Sequence, residues 1–220
     1  MFTRLGDCEI HSTASICTGA IIGKPFRPLL DERWEETAGG RTVIGANSYV
    51  GYFAIVGAGS TLSEDVIIDD NCVIESDVMI GKKALVIYRS QICNEAQVGS
   101  RCVIGGFIAE RVVVGDEARV FGKIIHTHGD PSAPWDAPES EEPSAVLEAG
   151  CFVGFNALVV GGVRIGRRAY VCAGAIVTSD VPAGHIAFGV NEVIPASKWT
   201  GSLGRSPFFH LGRDGQSYDA

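Results

Sequence analysis

The sequence predicts an all-β fold, a parallel β-helix solenoid with two loop excursions, and three observations carry that prediction. From Ile44 to Ile104 every sixth residue is aliphatic: Ile44, Val50, Val56, Leu62, Ile68, Ile74, Ile80, Val86, Ile92, Val98 and Ile104. Four residues after each of the first ten stands a small or β-branched side chain: Ser48, Ala54, Ser60, Val66, Cys72, Val78, Ala84, Ser90, Ala96 and Cys102. Two stretches without period, about 23–41 and 124–146, interrupt the repeat. An α-helix repeats at about 3.6 residues and a strand at two, so neither alone produces a strict period of six. Short strands coiled so that one side chain per hexad points to the axis do produce it.

Taken in order, the repeat begins with Ile10, Ile16 and Ile22, with Ala14 and Ala20 at the small position. Residues 23–41 then leave the coil, because Pro25 and Pro28 cannot donate to a strand ladder and Gly39-Gly40 marks a turn. Trp34 lies in this excursion, to reach a ligand or to pack over the coil or a neighbouring subunit. The ladder runs from Ile44, and Gly105-Gly106 shifts its register to Ile108, Val114 and Val120, with Val112 and Ala118 at the small position. The second excursion carries four Pro and many acidic residues, and long irregular loops in compact folds are usually functional. The ladder returns at Leu147, Val153, Val159, Ile165, Val171 and Val177 and ends near Pro182. This gives a β-helix domain over 1–182, followed over 183–220 by a partial coil and an extended arm whose Phe208-Phe209 pair is apolar enough to dock on a subunit.

Composition narrows the function classes. A formal net charge of −8 without a basic cluster argues against nucleic acid. No apolar run reaches membrane-spanning length, and the first ten residues lack the apolar core of a signal peptide. A cytoplasmic, non-membrane protein is expected. The seven Cys include no C-x-x-C pair, and Cys72, Cys102 and Cys151 fall at the small position, as buried small hydrophobes.

Residues 165–189 read IGRRAYVCAGAIVTSDVPAGHIAFG. This stretch resembles the last coils of the hexapeptide-repeat acyltransferases, and the resemblance implies a left-handed parallel β-helix, a homotrimer and acetyl-CoA as acyl donor, without a metal. The Thr127–Pro131 segment, THGDP, is similar to the Thr-His-Pro of the galactoside, maltose and xenobiotic O-acetyltransferases. The long N-terminal ladder looks more like the nucleotide-amino-sugar N-acetyltransferases, whose Thr-Asn-Asp segment places its Asn at His128. Both alignments meet at the same place in the chain.

Acyl transfer needs a general base near the acceptor, and a neutral imidazole can take that proton. His128 is the candidate base. His126 is a second catalytic candidate or a hydrogen-bonded structural His; if Ile124-Ile125 extends the strand, it occupies the next interior hexad position after Val120. Asp130 orients a His tautomer or makes a turn before Pro131. Carried over from the family, Phe155 and Ala173 are main-chain contacts to the donor and Thr178-Ser179 lies near its adenosine end. The chain departs from the family pattern at Ser179 and Val193, where basic residues usually stand; Arg167, Arg168 or Lys198 are alternatives. The acidic residues Asp136, Glu139, Glu141, Glu142 and Glu148 attract a cationic acceptor or are a solvated surface, and Trp135 stacks on a sugar or on a neighbouring subunit.

The expected function is acetyl transfer to a hydroxyl or amine of a sugar, a nucleotide-linked amino sugar or a small natural product. The alternatives are a catalytically silent assembly or regulatory β-helix and a γ-carbonic-anhydrase-like metal lyase. The latter needs three His on one zinc, and only His11, His126, His128, His185 and His210 are present.

Overall fold

The computed structural model describes residues 1–25, 40–127 and 143–200. Among these, almost every ordered element is a strand of two to four residues, and the strands fall into three sheets of nine, eight and ten. The chain visits the sheets in rotation. Strands Ile55–Gly57, Val73–Ile74 and Gln91–Ile92 are neighbours in the first sheet. Thr61–Leu62, Met79–Ile80 and Gln97–Val98 are neighbours in the second, and Ile67–Ile68, Leu85–Val86 and Val103–Ile104 in the third. Pairing is parallel from coil to coil up to His185–Phe188, and Ile74 meets Val56 on one side and Ile92 on the other, a register of 18 residues per coil. This is the all-β, left-handed parallel β-helix solenoid that the hexads and the resemblance predict.

The two sequence ladders are the core. The aliphatic positions from Ile44 to Ile104 are at most 4% exposed, and the small positions from Ser48 to Cys102 at most 2%. Full burial of each aliphatic side chain is worth roughly 1.5–3 kcal/mol. The polar members of the small ladder are satisfied internally. The Ser60 hydroxyl donates to the Glu75 carbonyl at 2.7 Å and accepts the Val78 N–H at 3.0 Å. The Cys72 thiol donates to the Ile87 carbonyl at 3.1 Å.

Most corners turn through one residue in the left-handed region, three places after the interior aliphatic. Asn47, Phe53, Asp65, Asn71, Asp77, Lys83, Arg89 and Glu95 all have φ between 57° and 64° there. Their N–H groups still find partners one coil back, as with Asp65 to Ala46 O at 2.8 Å and Lys83 to Glu64 O at 3.1 Å.

The Gly105-Gly106 shift is a corner shortened by two residues: Ile108 pairs with Ile92, and Phe107 with Gln91. A second shortening occurs at Gly122, which places Ile124 in the interior, fully buried and paired with Ile108 and Val159. Glycine is required at both. A Cβ on Gly106 would lie 1.9 Å from the Gly122 carbonyl oxygen, and one on Gly122 would lie 2.5 Å from that of Ala157. Of the two registers open to Ile124-Ile125, the chain takes the one in which Ile124, not His126, holds the interior position after Val120, and the strand Lys123–Ile125 leads into the second excursion.

At the C-terminal end Val181 bridges to Ile165, and His185–Phe188 adds in parallel to Tyr170–Val171. Glu192–Pro195 then reverses and pairs antiparallel with His185–Phe188 before a 3₁₀ turn over Ala196–Lys198. Among the described residues no helix is long and apolar enough to cross a membrane.

Candidate functional site at the edge between the first and second sheets

Both excursions leave from one edge of the three-sided coil. The first departs from Ile21–Lys24 in the first sheet and returns as Thr42–Ile44 in the second; the second departs from Lys123–Ile125 and returns as Val146–Leu147. Hexad spacing requires this, since each stretch follows a first-sheet interior residue, Ile22 or Ile124. Several sequence-level candidates lie outside the described residues: Trp34 in the first excursion, His128, Asp130, Trp135, Asp136, Glu139, Glu141 and Glu142 in the second, and Phe208, Phe209 and His210 beyond residue 200.

His126 stands at the root of the second excursion. Its Nε2 lies 3.1 Å from the Glu110 carbonyl oxygen and 3.5 Å from Glu110 Oε2, and its side chain is 8% exposed. The Ser144 hydroxyl donates to the same carbonyl at 3.1 Å, where the chain returns to the coil. Glu110 therefore ties the departing and returning ends of the excursion to one point on the coil beneath.

The same edge holds a cluster that sequence reasoning missed. Carboxylate oxygens of Glu75 and Glu110 and the sulfur of Cys93 all lie within 4.8 Å of one another. The available signal was the coil length: Glu75 and Cys93 are 18 residues apart, and the shortened corner at Gly105-Gly106 brings Glu110 to the same edge.

The four expected donor-binding residues are all exposed and divide between two edges. Phe155 and Ala173 follow the paired residues Val153 and Val171, between the third and first sheets. The Phe155 ring stacks on Phe121 at 4.6 Å, and the Phe155 carbonyl accepts the Gly174 N–H at 3.0 Å. Thr178 and Ser179 follow Val177 on the excursion edge, two strands beyond Lys123–Ile125, or about 10 Å along the axis. The Thr178 N–H donates to Asn191 Oδ1 at 2.7 Å, and Asn191 Nδ2 donates to Thr178 Oγ1 at 2.8 Å, which fixes this corner. Glu148 does not face outward as a free charge. It pairs with Arg164 at 2.6 Å and accepts the Arg167 N–H at 2.9 Å, and these contacts hold its carboxyl below the usual range. Among the described residues His11 and His185 do not join His126 in a metal-ligating group: His11 Nδ1 lies 3.0 Å from Thr13 Oγ1 and His185 Nδ1 lies 2.9 Å from the Ala183 carbonyl.

Fold and edge together define a hexapeptide-repeat β-helix whose two excursions depart from and return to one edge of the coil. Comparison with known proteins names particular relatives. Over 52 residues the chain is 50% identical to the 2,3,4,5-tetrahydropyridine-2,6-dicarboxylate N-acetyltransferase of Staphylococcus aureus, a match covering 22% of this chain and 22% of that enzyme. The match thus spans about a fifth of the length of these curated relatives. No family model matches the chain. Similar solved structures include the UDP-N-acetylglucosamine O-acyltransferase of Moraxella catarrhalis, at 15% identity and a TM-score of 0.47, covering 86% of this chain and 72% of that one. They also include the acetyltransferase domain of PglB from Neisseria gonorrhoeae in complex with acetyl coenzyme A, at 18% identity and a TM-score of 0.31, covering 86% of this chain and 57% of that one.

Proposed function

We propose that the chain is an acetyl-CoA-dependent acyltransferase working as a homotrimer on a hydroxyl or amine of a sugar, a nucleotide-linked amino sugar or a small natural product. The observation that carries this reading is the 52-residue match at 50% identity to an N-acetyltransferase. The shared excursion edge supports it. In the proposed reaction His128 removes the acceptor's proton as the oxygen or nitrogen attacks the thioester carbonyl. A tetrahedral intermediate forms, backbone N–H groups stabilise its oxyanion, and it collapses with loss of the CoA thiolate. His126, engaged on Glu110, sets the root of the excursion that carries His128. Phe155 and Ala173 line the path of the pantetheine arm, and Thr178 and Ser179 receive the adenosine end. The division at residue 182 belongs to this reading, with the arm reaching a neighbouring subunit. All seven cysteines are free thiols, which agrees with a reducing, cytoplasmic setting.

His128→Ala tests the base. Turnover should fall by about 10²–10⁴-fold with the trimer retained, and undiminished turnover overturns the assignment. Calorimetric titration with acetyl-CoA tests the donor. Micromolar binding supports the transferase. Absence of binding at millimolar donor favours the silent-subunit reading, for which the uncharged Ser179 is the specific observation.

A further inference from the structure

The cluster of Glu75, Cys93 and Glu110 goes beyond acyl transfer. Val73–Ile74, Gln91–Ile92 and Phe107–Ile108 are successive strands of the first sheet, and one cluster residue lies just past each. Neighbouring strands stand about 4.8 Å apart, so bringing three donor atoms from three coils within 4.8 Å of one another requires the side chains to converge. The set differs from a solvated acidic patch. Cys93 is 4% exposed, and its sulfur lies among the two carboxylates.

The surrounding groups orient this set. Gln91 Nε2 donates to Glu75 Oε1 at 2.8 Å and approaches Cys93 Sγ at 3.8 Å, and the Asn94 N–H donates to Glu75 Oε2 at 3.2 Å. Glu110 in turn engages His126 Nε2, which lies 3.1 Å from its carbonyl and 3.5 Å from its carboxylate. Metal ligands held in place by such outer hydrogen bonds are the usual construction of a protein metal site. Calcium and magnesium select oxygen donors alone, whereas zinc accepts thiolate and carboxylate together.

The geometry points to a divalent zinc-class cation bound by Glu75, Cys93 and Glu110, with His126 as a positioning residue behind Glu110. Binding forms a metal–thiolate bond and releases the Cys93 proton to solvent. The cation would tie three coils together along the edge from which both excursions depart.

The test uses the full chain, stripped with a chelator and titrated with Zn²⁺ against a chromophoric competitor, and in parallel with Co²⁺. One equivalent should bind, and Co²⁺ should give a near-ultraviolet thiolate charge-transfer band. Cys93→Ser should abolish that band while the circular dichroism of the coil is unchanged. Glu75→Gln and Glu110→Gln keep the side-chain shape and should each weaken Zn²⁺ binding by at least about tenfold. His126→Gln should weaken it by about tenfold with the band retained, as loss of an outer-shell partner does. Absence of the band in the native chain, its persistence in Cys93→Ser, or unchanged affinity in both Gln variants of the carboxylates overturns the proposal.

Discussion

His126 Nε2 sits 3.5 Å from Glu110 Oε2 and 3.1 Å from the carbonyl oxygen of the same residue. The two residues belong to successive coils, so this contact links the mouth of the second excursion to the coil before it. Removing the imidazole in His126→Ala should cost about 1–2 kcal/mol through the lost hydrogen bond and packing. Urea unfolding measures it. A cost within experimental error would show that the excursion is anchored elsewhere.

The interior ladder sets the larger energies. Ile92→Ala removes a side chain that is fully buried and should destabilise the chain by about 2–5 kcal/mol. Met79, one residue before the ladder position Ile80, is 52% exposed, and Met79→Ala should stay within about 0.5 kcal/mol of the native chain. Equal effects of the two substitutions would contradict the inward and outward assignment.

Lys83 holds φ of 60° at a corner, where an L-residue with a long side chain costs roughly 1–2 kcal/mol. Lys83→Gly relieves that strain, against about 0.5–1 kcal/mol of added chain entropy. A small net gain in thermal midpoint is expected. A loss of more than 1 kcal/mol, by about the same measure, would mean that the side chain itself holds the corner.

Burial pushes the thiols of Cys72 and Cys102 up to about 11 from the usual 9.0, and raises that of Cys151 further still. The folded chain therefore keeps these protons in a range where the unfolded chain has lost them. Their contribution to stability is complete below pH 9.0 and is lost as pH rises through about 11. The urea midpoint should fall across that window, and Cys72→Ala with Cys102→Ala should flatten the fall. At pH 8, alkylation followed by mass spectrometry should label the half-buried Cys17 well before Cys72, Cys102 or Cys151.

The interior was readable because a strict period leaves no freedom of orientation: once Ile44 points inward, Val50 to Ile104 follow. The break at Gly105-Gly106 was readable as well, since two glycines interrupt the period visibly. The break at Gly122 was not. A single glycine carries little signal, and Ile124-Ile125 fits either register, so the sequence alone leaves both Ile124 and His126 as candidates for the inward position. Cys93 carries no signal of its own in the sequence because its partners, Glu75 and Glu110, are 18 and 17 residues away, distances that acquire meaning only when coil length is known. The left-handed corners were obscured differently. Asn, Asp and Gly announce that conformation, whereas Phe53, Lys83 and Arg89 adopt it under the constraint of the stack.

The reversal of Glu192–Pro195 against His185–Phe188 has a consequence beyond the single chain. A solenoid is a template, and an open parallel strand invites the first coil of another copy to continue it into a filament. On the third sheet that invitation is withdrawn. The last strand among the described residues runs the wrong way for a parallel successor, and Pro195 contributes no N–H. On that face the described coil thereby presents a change of direction, rather than a parallel edge, to the first coil of another copy.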